Sequence, residues 1–336
     1  MWGAHARLDE ESPGSWIDEG LESGEDHNAL IRPAQEAVPT PQLELDVLLD
    51  RGVAARTYSG RWQDQAVWVQ VVSSVFLRAP QLLDAVRVWA EAIVGLEHPH
   101  LLTPLSIGTS AGRPAIIYPQ PAGRSLRDAL DEGPLTPAQG VELAAGLGEA
   151  LVALSEAGVP HGDLQPQAVL WGEEGPQLWQ FGLAQVNCLR GGFDRQGLRF
   201  GHPSYDAPEL QRADASPSFR TDVYALGMTV LEAVRGALPF DPSDPEGALR
   251  WHRERGPLPD DLPPPLRELL ERLLAREPSG RPSPLELPLA IGTCQTDLWR
   301  AEAAASGPAA APAEPSAAAP AEPAAEPAAE PAAEPA

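Results

Sequence analysis

Two short segments hold most of the side chains in this chain that could take part in chemistry. The first is His161-Gly162-Asp163-Leu164-Gln165-Pro166-Gln167-Ala168-Val169-Leu170, and the second is Gln180-Phe181-Gly182-Leu183-Ala184. Asp163 is the single carboxylate in either. Around it stand neutral amides and an alanine, none of which supplies the anionic oxygen that hard Mg2+ prefers. The chain contains no lysine, so all 24 residues in the Lys+Arg count are arginines. The seven histidines are scattered without His-x-x-x-His spacing, and Cys188 and Cys294 belong to no Cys-x-x-Cys. A zinc site or a disulfide framework is therefore not expected.

Charge narrows the partners further. The formal net charge is −24. Residues 1–40 hold nine acids against two arginines, residues 301–336 hold six glutamates and no base, and −11 remains for residues 41–300. A field of that sign repels polyanions, which excludes nucleic acid and an anionic membrane surface as expected partners and does not favour ATP. No run of 18 apolar residues and no secretion signal is visible, so a cytoplasmic location without a membrane anchor is expected.

The elements that must position these residues lie between two polar ends. Residues 1–40 are acidic and punctuated by Ser, Gly and Pro, and are expected to be disordered. Residues 301–336 are nearly all Ala, Pro and Glu, expected as an extended, solvated tail. Between them, Val67–Val72 and Arg113–Tyr118 read as β-branched strands. Leu82–Leu96 has helical spacing. Thr136-Pro137 is a helix start, with Thr as cap and Pro in the first turn, and the helix it opens stops at Gly158. Further helices fit Asp222–Arg235 and Leu266–Arg276. Strands first and helices later indicate an α+β chain with a small sheet lobe and a larger helical lobe.

The two opening segments resemble the catalytic loop and the metal loop of protein kinases, His-Arg-Asp-Leu-Lys-Pro-x-Asn and Asp-Phe-Gly. Further matches follow in the family's order: Gly201-His-Pro-Ser-Tyr-Asp-Ala-Pro-Glu209, then Thr221-Asp-Val-Tyr-Ala-Leu-Gly227, then Glu277-Pro-Ser-Gly-Arg-Pro282. With Gly123-Arg-Ser-Leu126, they are most similar to bacterial Ser/Thr-type kinases. The resemblance implies a two-lobed, protein-kinase-like α+β domain over 41–296. Its N-lobe (about 41–120) is a small antiparallel sheet with one helix, and its C-lobe (about 121–296) is mainly helical. It also implies structural roles: Glu209 pairing with Arg281, Asp222 accepting from catalytic-loop amides, His161 and Phe181 in a hydrophobic column. Asp163 falls at the position of the general base.

Elsewhere the family's side chains are replaced. The strand lysine is Gln70, its helix glutamate is Trp89, and the catalytic-loop lysine is Gln165. The two metal ligands are Ala168 and Gln180, and the glycine loop becomes Asp50-Arg-Gly52-Val-Ala-Ala55. Trp68 stands where kinases place a small alanine against adenine, Trp179 precedes the metal position, and Pro121 lacks the hinge N–H that adenine would accept from. This pattern leads us to expect a pseudokinase, not an enzyme, with ATP and Mg2+ binding weak or absent and Asp163 vestigial. Its expected work is binding or scaffolding a protein partner, such as an active kinase or a phosphorylated or basic protein. Arg190, Arg195 and Arg199 are candidate anchors for acidic groups. Two alternatives are a divergent phosphotransferase drawing a cation from Arg51, Arg56 or Arg61, and a metal-independent nucleotide sensor.

Overall fold

The computed structural model describes residues 43–51, 55–73, 88, 91–180, 202–212 and 216–305. The expected division into a sheet lobe and a helical lobe is present. The first lobe is a five-stranded antiparallel sheet in the order β1-β2-β3-β5-β4, built from β1 (Leu43–Arg51), β2 (Ala55–Trp62), β3 (Gln65–Val72), β4 (Ser106–Ser110) and β5 (Arg113–Pro119). Alternation on β3 sends its two faces to different places. Val67, Val69 and Val71 join Tyr58, Ala115 and Ile117 in a small core on one side. Trp68 and Val72 turn the other way, with Ile116 and Tyr118, toward the main core. Gly60 on β2 lies so close to the carbonyl of Glu44 on β1 that a Cβ would clash with backbone, so only glycine fits the pairing there. Of the helix expected over 82–96, the described residues 88 and 91–93 are helical.

The second lobe carries a small sheet of β6 (Arg124–Ser125), β7 (Val169–Gly172) and β8 (Gly175–Leu178), with helices around it. These are α1 (Leu126–Glu132), α2 (Pro137–Glu156), α3 (Phe219–Arg235), α4 (Pro245–Glu254), α5 (Pro264–Leu273) and α6 (Glu286–Ala305). The Thr136 start of α2 is a reciprocal cap: Thr136 Oγ1 accepts from the N–H of Gln139, and Gln139 Oε1 accepts from that of Thr136. Leu143, Leu147, Leu151 and Leu154 form its buried stripe. Each contributes roughly 1.5–3 kcal/mol relative to exposure. The lobes are joined where the amide of Leu178 donates to His100 O and that of Leu102 to Leu178 O, both at 2.9 Å.

Helix α6 runs through Ala305, past the expected domain end at 296 and five residues into the stretch read as tail. The reason is local composition. Ala301–Ala305 is a run of strong helix formers, and the first proline comes only at 308. The remaining residues of the expected tail and those of 1–40 lie outside the described residues. Among the described residues, no helix is long and apolar enough to cross a membrane.

Candidate active site

The catalytic-loop segment is held from below by α3. Ser218 caps this helix through a reciprocal pair with Thr221. That fixes Asp222 in the first turn, pointing into the loop. Its two carboxylate oxygens accept from the backbone amides of His161 and Gly162, each at 2.7 Å. Gly162 has φ of +79°, in the left-handed region that suits glycine and would strain the arginine of the kinase pattern. His161 is fully buried, and burial pushes its pKa down to about 4, so the ring is neutral. Nε2 donates to Trp179 O at 2.9 Å, leaving Nδ1 to accept from the amide of Asp163 at 3.2 Å. One imidazole thereby ties the loop to the segment entering Gln180.

Asp163 is the reactive-looking group that results. Gln165 Nε2 donates to its Oδ1 at 2.9 Å, and the backbone N–H of His202 also reaches the carboxylate. Burial, with the nearby charge of Asp206, outweighs these donors and raises the pKa to about 7. Asp163, Asp206 and Asp222 line one small cavity beneath the loop. Burial raises the Asp222 pKa to about 7 as well.

This has a measurable consequence for stability. Between about pH 4 and 7 the folded chain keeps a proton on Asp222 that the unfolded chain has released. Stability from this group is complete at low pH, declines across that window and is lost once pH has risen through 7. Asp222→Asn removes the titration. Its destabilisation in denaturant melts is therefore expected to be smaller at pH 8 than at pH 5. The difference is about 1.4 kcal/mol for each pH step between 5 and the Asp222 midpoint. An equal penalty at both pH values would contradict the assignment. His161 works in the opposite direction, because its lowered pKa favours the folded chain as pH rises from 4 to 6.5. It is common to both proteins and cancels in the comparison.

On the other wall of the cleft, Trp68 and Trp179 meet with ring centroids 5.0 Å apart, and Tyr118 meets Trp179 edge-on at 6.0 Å. Trp179 is anchored by its indole N–H donating to Gln167 O at 3.1 Å. Gln70 is buried, and among the described residues its Oε1 has no hydrogen-bond partner. Pro121 lies just beyond β5, partly buried. Gln180 adopts φ of +64°, an uncommon left-handed conformation for a residue other than glycine, at the end of the segment that leads from β8. Ala168 is buried in the 3-10 turn Pro166–Ala168. Gln70, Ala168 and Gln180 offer no anionic oxygen, and among the described residues no group of three His, Cys, Asp or Glu side chains could hold a metal ion. The side chains at the family's metal positions therefore do not fit Mg2+ as a ligand set.

Further down, Arg281 is completely buried and donates through both terminal nitrogens to Glu209, at 2.6 and 2.8 Å. Its Nε donates to Ala275 O at 2.8 Å. Trp89, Phe181 and the arginines 190, 195 and 199 lie outside the described residues. Of the candidate cations, Arg51 and Arg56 are opposite each other where β1 and β2 flank residues 52–54. Arg61 is not near them. It sits at the far turn of β2, donating to Asp64 O. Arg127, Tyr205 and Glu232 are not among the residues expected at the site. They form one largely buried cluster, and no spacing in the chain announces it.

A small antiparallel sheet over a helical lobe, with an aspartate in a loop clamped from the helix below, defines the class as a protein-kinase fold. The comparisons agree. The protein kinase domain model matches residues 62–289, and this chain belongs to that family. It is 30% identical to serine/threonine-protein kinase PkaB of Streptomyces coelicolor, over 70% of this chain and 58% of that one. Serine/threonine-protein kinase PknK of Mycobacterium tuberculosis is 34% identical over 55% of this chain and 17% of its own length. For pkn2 of Myxococcus xanthus the values are 31%, 57% and 25%. The chain thus spans a quarter or less of the length of the last two. The kinase domain of M. tuberculosis PknI shares the fold at a TM-score of 0.59 and 20% identity, covering 78% of this chain and 99% of that one.

Two expectations are corrected by these relationships. The chain is not to be read as a non-enzyme: a kinase-domain match and relatives named as serine/threonine-protein kinases point to an enzyme. Nor does weak or absent use of ATP and Mg2+ stand as the expectation, since kinases of this type normally use both. The physical reason lies in phosphoryl transfer itself. It asks the protein for positioning and electrostatic stabilisation, and it is the match of the whole domain over residues 62–289 that overturns an expectation drawn from replaced side chains.

Proposed function

We propose that this chain is a divergent serine/threonine-type protein kinase domain of bacterial signalling, transferring phosphate from ATP to a protein hydroxyl at a low rate. The observation that carries the reading is Asp163, oriented by Gln165 and the His202 amide, with a proton affinity near neutral pH. A base is most effective when its pKa lies close to the working pH. The substrate hydroxyl gives its proton to Asp163 as its oxygen forms the new bond to the γ-phosphorus. The bond from that phosphorus to the bridging oxygen breaks, and ADP leaves. Arg51 and Arg56, paired across β1 and β2 on either side of residues 52–54 in the sequence, are the candidates to face the phosphates. Trp68, half-buried on the cleft face of β3, would lie against the base.

The experiment is transfer of radiolabelled phosphate from ATP to the chain itself and to a general protein acceptor, with tryptophan fluorescence followed alongside. Slow incorporation with ATP-dependent quenching is expected. No incorporation above that of heat-treated protein would end this reading. The Glu209–Arg281 pair and the clamp on Asp222 tie the helical lobe together by contacts that do not depend on phosphate transfer. That supports a second role as a regulatory or scaffolding surface for a protein partner, tested by pull-down from the native cell.

A further inference from the structure

Helix α6 carries apolar residues on two sides. Leu287, Ala290, Ile291, Cys294 and Leu298 recur at helical spacing and belong to the main core. A helix that packs on one side only is expected to be polar on the other. Here Leu285, in the turn that opens α6, is 85% exposed, Leu289 is 72% exposed and Trp299 68%. At about 100° per residue the three fall on one stripe with Gly292 and Thr296, which are also exposed.

Gly292 lies midway along this stripe, seven residues from Leu285 and seven from Trp299. Glycine in a helix interior is costly relative to alanine, yet a Cβ at 292 would meet no atom of the described residues within 4 Å. Packing among those residues does not call for it. A bare stretch of backbone between two large apolar side chains at equal distances is self-complementary. With a two-fold axis at Gly292, Leu285 of each copy faces the partner's Trp299, and the glycines let the two backbones approach closely. Charge agrees with that arrangement. Glu286 and Arg300 lie on the same flank of the stripe at opposite ends of α6, so antiparallel pairing brings each Arg300 beside the partner's Glu286. Both side chains are already ordered within their own chain. Glu286 accepts from the Ser283 amide at 2.8 Å, and Arg300 donates to Asp297 at 3.0 Å.

We propose that the outward face of α6 is where two copies of this chain associate, antiparallel and isologous about Gly292. The chain's own ends are poorer occupants. Residues 306–336 contain no leucine, isoleucine, valine or aromatic residue to bury there. Residues 1–40, with nine acids against two arginines, would meet a helix that itself carries Glu286, Asp297 and Glu302. A helix of 20 residues is about 30 Å long. Such a contact buries on the order of 1,000 Å² in total, the low end for specific association, so the expected dimer is reversible and micromolar.

The test is sedimentation velocity of the full chain from about 1 to 300 μM, a range that brackets a micromolar Kd. A monomer–dimer equilibrium is expected, weakened more than about tenfold by Trp299→Gln or Leu289→Gln. Both positions are exposed, so the melting temperature of dilute protein should hold. Gly292→Leu is the sharper variant. The open space accepts the side chain and helix propensity rises, so the monomer should melt higher while the dimer is lost. Gly292→Cys, in a Cys188→Ser background, should oxidise to a disulfide-linked dimer. Glu302→Cys should not, since the two copies of that position would lie about 30 Å apart along the helices. Monomer mass across the whole range overturns the inference, whichever other segment or partner covers the face. So does a dimer that Gly292→Leu and Trp299→Gln leave intact, because the contact would then lie elsewhere on the chain.

Discussion

Replacing Arg281 with methionine should lower the folding free energy by about 3–5 kcal/mol, the range measured when one partner of a buried ion pair is removed. Arg281 has no exposed side-chain surface, whereas Glu209 retains 22%. The guanidinium satisfies Glu209 twice. It also donates to the carbonyls of Ala275, Arg220 and Arg276, at 2.8, 2.8 and 3.0 Å. Its Cζ lies 4.8 Å from the centre of the Tyr224 ring on α3. Methionine fills much of the volume but leaves a partly buried carboxylate and three carbonyls without their donor. Arg281→Lys should recover little, because a point ammonium cannot reproduce the planar fork. Urea melts of the three proteins would check this. A Met variant about as stable as wild type would show that the pair does not secure the lobe.

Asp163→Asn should reduce phosphate incorporation by about 10²–10⁴-fold, the usual contribution of a positioned general base. The amide oxygen can still accept from Gln165, so that hydrogen bond of the loop is kept. Stability is expected to move the other way at alkaline pH. The substitution removes a carboxylate that must ionise in a partly buried place above about pH 7, beside Asp206. A variant that is inactive and no less stable at pH 8 therefore separates lost chemistry from lost fold. Full activity in the variant would mean that Asp163 is not the base.

The sequence made local features readable wherever the signal was local. The start of α2 at Pro137, with Thr136 as cap, follows from two adjacent residues whose backbone preferences coincide. β3 and β5 follow from β-branched runs, and α3 and α5 from apolar spacing, although α3 begins three residues before the expected Asp222 because the cap is Ser218. β1 is hidden, since Leu43–Arg51 is mostly exposed and alternates apolar with acidic residues as a loop also can. The Arg127–Glu232–Tyr205 cluster joins residues up to 105 positions apart. A single chain without helical or strand spacing between its members carries no mark of such a meeting. The expectation of inactivity is overturned by the family match and by relatives named as serine/threonine-protein kinases, because replaced side chains are read one by one while the match covers residues 62–289 as a whole.

By itself the sequence determined the order of elements, the kinase-like architecture and the place of Asp163 in a loop, because those depend on neighbours along the chain. The tertiary structure alone decided which donors face Asp163, that Trp68 meets Trp179 across the cleft, and that Arg61 turns away from it. Those outcomes depend on burial and on distances between remote segments, and such quantities exist only once the chain has closed on itself.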